Sequence, residues 1–174
     1  GWPILFLSRM EAIVPNTSTE RGLIFLLRIA LGWTFLYAAS HQVFVADFSI
    51  VGFLNSTKTF HWLFQPLTAP AIAPVVSFMV AYGHLLIGLS LISGLMVRVS
   101  SAFGIFIMLT YWLAHMDFPY ISDHNSFIID FHIVDALVLG LLIATRAGHV
   151  WGLDAWAARQ KLVTDNKPLA WAIA

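Results

Sequence analysis

The chain has no cysteine. That excludes disulfide cross-links, thiolate metal sites and any mechanism carrying sulfur or electrons on a thiol of this subunit. Charge is scarce too: 10% of the 174 residues are Asp, Glu, Lys or Arg, nine of each sign, for a formal net charge of zero. No basic stripe exists to hold nucleic acid, which is therefore dropped as a partner. No glutamate lies within a long apolar stretch, as a di-iron helix bundle would need, and there is no His-x-x-x-His pair and no haem attachment motif. The spacing of the histidines thus gives no firm indication of a metal or haem.

What fills the chain instead is apolar: 59% of residues are hydrophobic and 14% aromatic. A helix across the hydrocarbon of a bilayer needs about 20 mostly apolar residues, and four stretches qualify. They run over about Gly22 to Ala46, Ala71 to Met96, Val99 to Met116 and Ser126 to Thr145. The second and third are joined by the short Val97-Arg98 turn, and the fourth stops at Arg146 with Gly148 just beyond, an ordinary helix ending. The fold expected is all-α, an integral membrane four-helix bundle with short interfacial helices. It divides into an N-terminal interfacial segment (1–20), a four-helix transmembrane domain (21–146) and a C-terminal tail (147–174). Within the first, Trp2 to Val14 is apolar but too short to cross and reads as a helix lying along the membrane surface.

Four crossings put both termini on one side, together with the loop between the second and third helices. That side collects Arg9, Arg21, Arg98, Arg146, Arg159, Lys161 and Lys167, while Arg28 sits about one and a half turns inside the first helix, within snorkelling reach. The other side has Lys58 alone. The positive-inside rule then makes the termini cytoplasmic and turns Asp47 to Pro70 and Asp117 to Asn125 outward. The implied location is a prokaryotic cytoplasmic membrane. Phe48 to Pro66 mixes aromatic and polar residues, which suits a segment half sunk among outer headgroups or a lid over a pocket. On the inner side, Leu153 to Leu162 suits a short amphipathic surface helix.

Ionisable groups at bilayer depth are costly, so they are functional candidates. This topology brings His41, His84, His115, Asp130, His132 and Asp135 to the outer half of the bundle. His132 and Asp135, three apart, share a helical face, whereas Asp130 points about 140° away from Asp135. A carboxylate beside an imidazole is the acid/base pair that quinone chemistry requires, because protons move with the electrons. Asp135, His132 and His84 are accordingly the catalytic candidates. His115, His41, Asp130, Trp112 and Tyr111 are candidates to line the substrate or quinone site. Tyr82, Tyr111 and Trp112 read first as packing or interface anchors and only second as part of a cofactor site, and His41, His61 and His124 lie near headgroup level, where a histidine is inexpensive.

Several motifs carry a family resemblance. Leu27-Arg28-Ile29-Ala30-Leu31-Gly32-Trp33 with Phe35-Leu36-Tyr37-Ala38 resembles the opening helix of the DoxX/DoxD family. The run Gly88 to Arg98 resembles its second helix and basic turn. Phe131-His132-Ile133-Val134-Asp135-Ala136-Leu137, leading to Ala147-Gly148-His149-Val150-Trp151-Gly152-Leu153-Asp154, resembles its closing helix and the Gly-Leu-Asp signature of DoxD-type members. Ala39 and Gln42 stand where that first helix often closes with a glycine and a lysine. The resemblance implies four membrane helices and, for the DoxD type, the membrane subunit of a thiosulfate:quinone oxidoreductase working with a DoxA partner. Quinone would then be substrate or bound lipid. Membrane lipids and partner subunits are the expected company.

Two further readings stand beside the redox one. A non-catalytic accessory subunit of a larger respiratory or photosynthetic complex would pack through aromatic faces and small-residue ridges such as Gly83, Gly88 and Gly94. A transporter would show discontinuous helices or an inverted repeat, and no convincing repeat is present.

Overall fold

The computed structural model describes residues 13–122 and 124–174. The surface helix expected at Trp2 to Val14 falls largely outside them. The first long helix, α1 (Ser18–Val43), starts at a capping box: Thr17 Oγ1 accepts from the Glu20 backbone N–H while the Glu20 carboxylate accepts from that of Thr17. Helices α2 (Val51–Asn55) and α3 (His61–Phe64) lead through a 3-10 turn into α4 (Ala73–Ser93). That helix has proline in its first turn and stops at Gly94, whose φ of 75° is left-handed. Next comes α5 (Val97–Ala114), followed by strands β1 (Met116–Asp117), β2 (Tyr120–Ile121) and β3 (Ser126–Phe127), then α6 (Phe131–Ala144). Three short helices, α7 (Leu153–Ala157), α8 (Lys161–Thr164) and α9 (Lys167–Ile173), close the chain.

The helices α1, α4 and α5 are long and apolar enough to cross a membrane, and α6 is a shorter apolar helix of 14 residues. The four form a helical membrane bundle. It packs as two close pairs, α1 along α4 and α5 along α6, around Leu31, Phe35, Ile87, Leu91, Leu139 and Leu142. Large apolar side chains cover the outside as well; Leu86, Phe106 and Leu137 are each 66 to 70% exposed, which marks a lipid-facing surface.

Glycines set the closeness of each pair. A Cβ on Gly88 would lie 2.7 to 2.9 Å from Leu36, its backbone nitrogen included, and one on Gly104 would lie 2.8 Å from Leu139. Gly88, expected on an outward ridge, therefore serves contacts inside the bundle, and Gly94 lies against Gly152 and Arg28. Gly88→Ala is expected to lower stability by about 1 to 3 kcal/mol through overpacking. Gly83→Ala, whose Cβ would meet only Ile107 at 3.9 Å, should leave stability unchanged or higher. Thermal unfolding of both variants in one detergent checks the contrast.

The fourth helix begins five residues later than expected. Ser126 and Phe127 pair with Ile121 and Tyr120 as the edge of a small antiparallel sheet ordered β1-β2-β3, so the apolar run there is strand, and Asp130 becomes the helix N-cap. The tail departs from expectation too. Its single surface helix is replaced by three short ones folded back on the bundle, with Ala157, Val163 and Ile173 buried against Leu95 and Met96.

Arg28 does not snorkel to the surface; it is fully buried. Its Nη1 donates to the carbonyls of Leu91 (2.7 Å) and Ile92 (3.1 Å), and its Nη2 to those of Val150 and Trp151 (both 3.2 Å). One guanidinium thus satisfies carbonyls at the end of α4 and in the chain after α6. Beside it, the buried Asp154 carboxylate accepts from the backbone N–H groups of Met96 (2.7 Å) and Val97 (3.2 Å), capping α5 from a distant part of the chain. A side chain on Gly148 would collide with that carboxylate, and one on Gly152 with the Gly148 carbonyl. The Gly-Leu-Asp signature is thus a clasp that locks one end of the bundle.

Candidate functional site

The opposite end holds a cavity of about 420 Å³. Each long helix turns one face to it: Thr34, Phe35, Ala38 and Gln42 from α1, Val80 and His84 from α4, Met108 and Tyr111 from α5, and Phe131, His132 and Asp135 from α6. These spacings of three and four residues are those of one helical face. His115, at the end of α5, completes the helical wall, and Phe48, Ser49, Ile50 and Phe53 close it from the connection ahead of α4. That connection is anchored, because the Ile50 backbone N–H donates to Ser77 Oγ at 3.0 Å and Ile50, Leu54 and Phe64 form a small core with Ala114. Phe48 to Phe53 thus fits the lid alternative better than a purely interfacial segment.

The three histidines of the cavity have defined partners. His84 is 3% exposed, with Nδ1 2.7 Å from Gln42 Oε1 and Nε2 3.2 Å from the Tyr111 hydroxyl. With the amide oxygen facing it, Nδ1 carries the proton and Nε2 accepts from Tyr111. His115 donates from Nδ1 to its own helix, at the Tyr111 carbonyl, 2.7 Å away. His132 donates from Nδ1 to Asp130 Oδ2 at 2.7 Å, and the same carboxylate caps α6 by accepting from the His132 backbone N–H at 3.1 Å. The His115 and His132 rings stack with centroids 5.0 Å apart, and Phe131 stacks on His132 at 4.1 Å.

The expected pairing of His132 with Asp135 is not the one found. Asp130 has extended backbone angles, φ −129° and ψ −171°, so the helical-wheel separation does not apply to it, and its carboxylate accepts the hydrogen bond from His132. Asp135 lines the cavity, and among the described residues it has no hydrogen-bond or ion-pair partner. Of the other candidates, His84, His115 and Tyr111 line the cavity, while Asp130 acts through His132. His41 stays outside on the exposed face of α1, 3.0 Å from its Tyr37 carbonyl, and Trp112 donates to the Ile128 carbonyl at 2.8 Å, also outside. Gln42 was the residue that sequence reasoning passed over. Its signal was the spacing from Phe35 and Ala38, on the α1 face that meets His84. Among the described residues, no three His, Asp or Glu side chains are grouped to hold a metal ion.

A helical membrane bundle with a largely apolar cavity at one end, carrying a few polar side chains, defines the class. The chain belongs to the DoxX family, which matches residues 23–116, from α1 to the start of β1. The α6 wall and the Gly148–Asp154 half of the clasp lie beyond the matched segment. Neither a curated protein nor a solved structure matches the chain.

Proposed function

We propose that this protein is the membrane subunit of a quinone-linked redox complex in a prokaryotic cytoplasmic membrane, and that the cavity receives the quinone ring. One observation carries the reading: aromatic and aliphatic walls (Phe35, Phe53, Met108, Phe131) and hydrogen-bonding groups (His84, Tyr111, His115, His132, Asp135) converge on one space of about 420 Å³. Ligand sites of this size combine apolar walls with a few placed polar groups, and a quinone presents a flat ring with oxygens at its edge. Quinone reduction needs an acid or base near each oxygen, which imidazole and phenol supply. The basic residues on the clasp side favour orienting that end to the cytoplasm, so that the cavity opens toward the outer leaflet. Electrons come from a partner subunit; the DoxD-type likeness suggests thiosulfate as their source.

Extraction in mild detergent with analysis of bound lipid tests this. The wild-type protein should retain quinone or quinol near one per chain. Ala38→Phe, which fills the cavity from α1, should lower that retention at least tenfold while the protein still folds. Equal retention by both proteins would place the quinone elsewhere.

A further inference from the structure

The hydrogen-bonding groups of this cavity are unevenly divided between donors and acceptors. His115 donates its Nδ1–H to a backbone carbonyl, which can only accept, and His132 donates its own to the Asp130 carboxylate. In each neutral ring that leaves Nε2 as an acceptor. Asp135 faces the cavity without a partner among the described residues and offers an acceptor oxygen in either protonation state. The Thr34 hydroxyl is committed to the Leu31 carbonyl at 2.8 Å, and the Tyr111 hydroxyl to His84 Nε2. Free donors remain on the α1 side, at the Gln42 amide and the Ser49 hydroxyl. The lining contains neither lysine nor arginine.

From this we infer that the cavity prefers a ligand bearing hydroxyl donors, the hydroquinone over the quinone, and does not take an anion such as thiosulfate. The inference rests on the proposal that a quinone-type ring occupies the cavity. A hydroquinone offers two O–H donors, whereas a quinone offers only acceptors and would leave both imidazole Nε2 atoms unpaired. Sites built to bond a substrate hydroxyl discriminate strongly against the analogue lacking it, because their own polar groups then go unsatisfied. An anion would meet no fixed cation among the described residues of the lining. The preference has a consequence for electron delivery. Tighter binding of the reduced form makes the bound quinone easier to reduce, by about 30 mV for each tenfold for a two-electron couple.

Anaerobic titration calorimetry of the full protein in detergent, with decylubiquinol and decylubiquinone as ligands and micelles alone as the blank, tests this. The quinol is expected to bind at least tenfold tighter than the quinone. Asp135→Ala, which removes one acceptor from the wall in either protonation state, should reduce that ratio at least threefold, and millimolar thiosulfate should displace neither ligand. Quinone binding as tight as quinol binding would overturn the inference while leaving the cavity a quinone site, and so would displacement by thiosulfate. Binding of neither ring overturns the cavity reading, and this inference with it.

Discussion

Arg28→Met is expected to lower the stability of the folded protein by about 3 to 5 kcal/mol, because it strips buried carbonyls of a charged donor at about 1 to 3 kcal/mol for each group left unpaired. The guanidinium is fully enclosed and reaches four carbonyls in two parts of the chain, near Leu91 and near Val150. Methionine fills some of the volume and offers no donor, so those carbonyls stay buried with one partner fewer. Arg28→Lys should recover only part of the loss, since an ammonium places its three donors at one point and cannot fork between the two segments. Thermal unfolding in a fixed detergent, read alongside protease resistance of the tail, measures both. A loss below about 1 kcal/mol would mean that the guanidinium adds little beyond its own desolvation.

Asp154→Ala is the second large effect, at about 2 to 3 kcal/mol, because it removes a helix cap and leaves two backbone N–H groups buried without an acceptor. Asp154→Asn keeps one acceptor oxygen and should recover about half of that difference. The pH response separates charge from packing. Burial holds the Asp154 carboxyl above the usual aspartate range, against the opposing pull of the Met96 and Val97 N–H groups, His149 and Arg28. A carboxyl raised in the folded state binds its proton sooner there than in the unfolded chain. Its stabilising contribution is therefore complete below the unfolded value and is lost as the pH rises through the folded one. Measured against Asp154→Asn, the wild-type protein should gain stability as the pH falls from neutral into the acid range. A wild-type protein that instead loses stability relative to Asp154→Asn on acidification would reverse the sign assigned to this group.

The bundle was largely legible in the sequence, because each helix is spelled by many apolar residues at once. The cavity was legible to the extent that depth alone decides it. His84, Tyr111, His115, His132 and Asp135 each sit at a depth along their spans that would bring them to one end, and they do meet in one place. Pairing was not legible. Whether His132 finds Asp130 or Asp135 depends on where α6 starts, and that depends on Ser126 and Phe127 choosing a strand over a helix, a tertiary decision that apolar content does not record. Gln42 escaped because one amide near the end of an apolar helix is unremarkable until the facing helix brings His84 to 2.7 Å. Arg28 misled for a related reason. An arginine one and a half turns into a span usually reaches back to water, and only the folded-back tail supplies the carbonyls that retain it.

The same comparison bears on the motifs. Gly152-Leu153-Asp154 and Gly148 look like a signature of function, yet their positions are explained by the clasp, some distance along the bundle from the cavity. The residues offered for chemistry lie at the other end. Changes to the clasp should therefore alter stability, and changes to the cavity should alter ligand retention.

Photolabelling with a short-chain azidoquinone, followed by peptide mapping, tests the central claim most directly. The label is expected on the segments 48–53, 108–115 and 131–135, which line the cavity, and excess unlabelled quinol should remove it. Label spread over the lipid-facing positions around Phe103, Phe106 and Leu137, unaffected by competitor and absent from the cavity segments, would contradict the account.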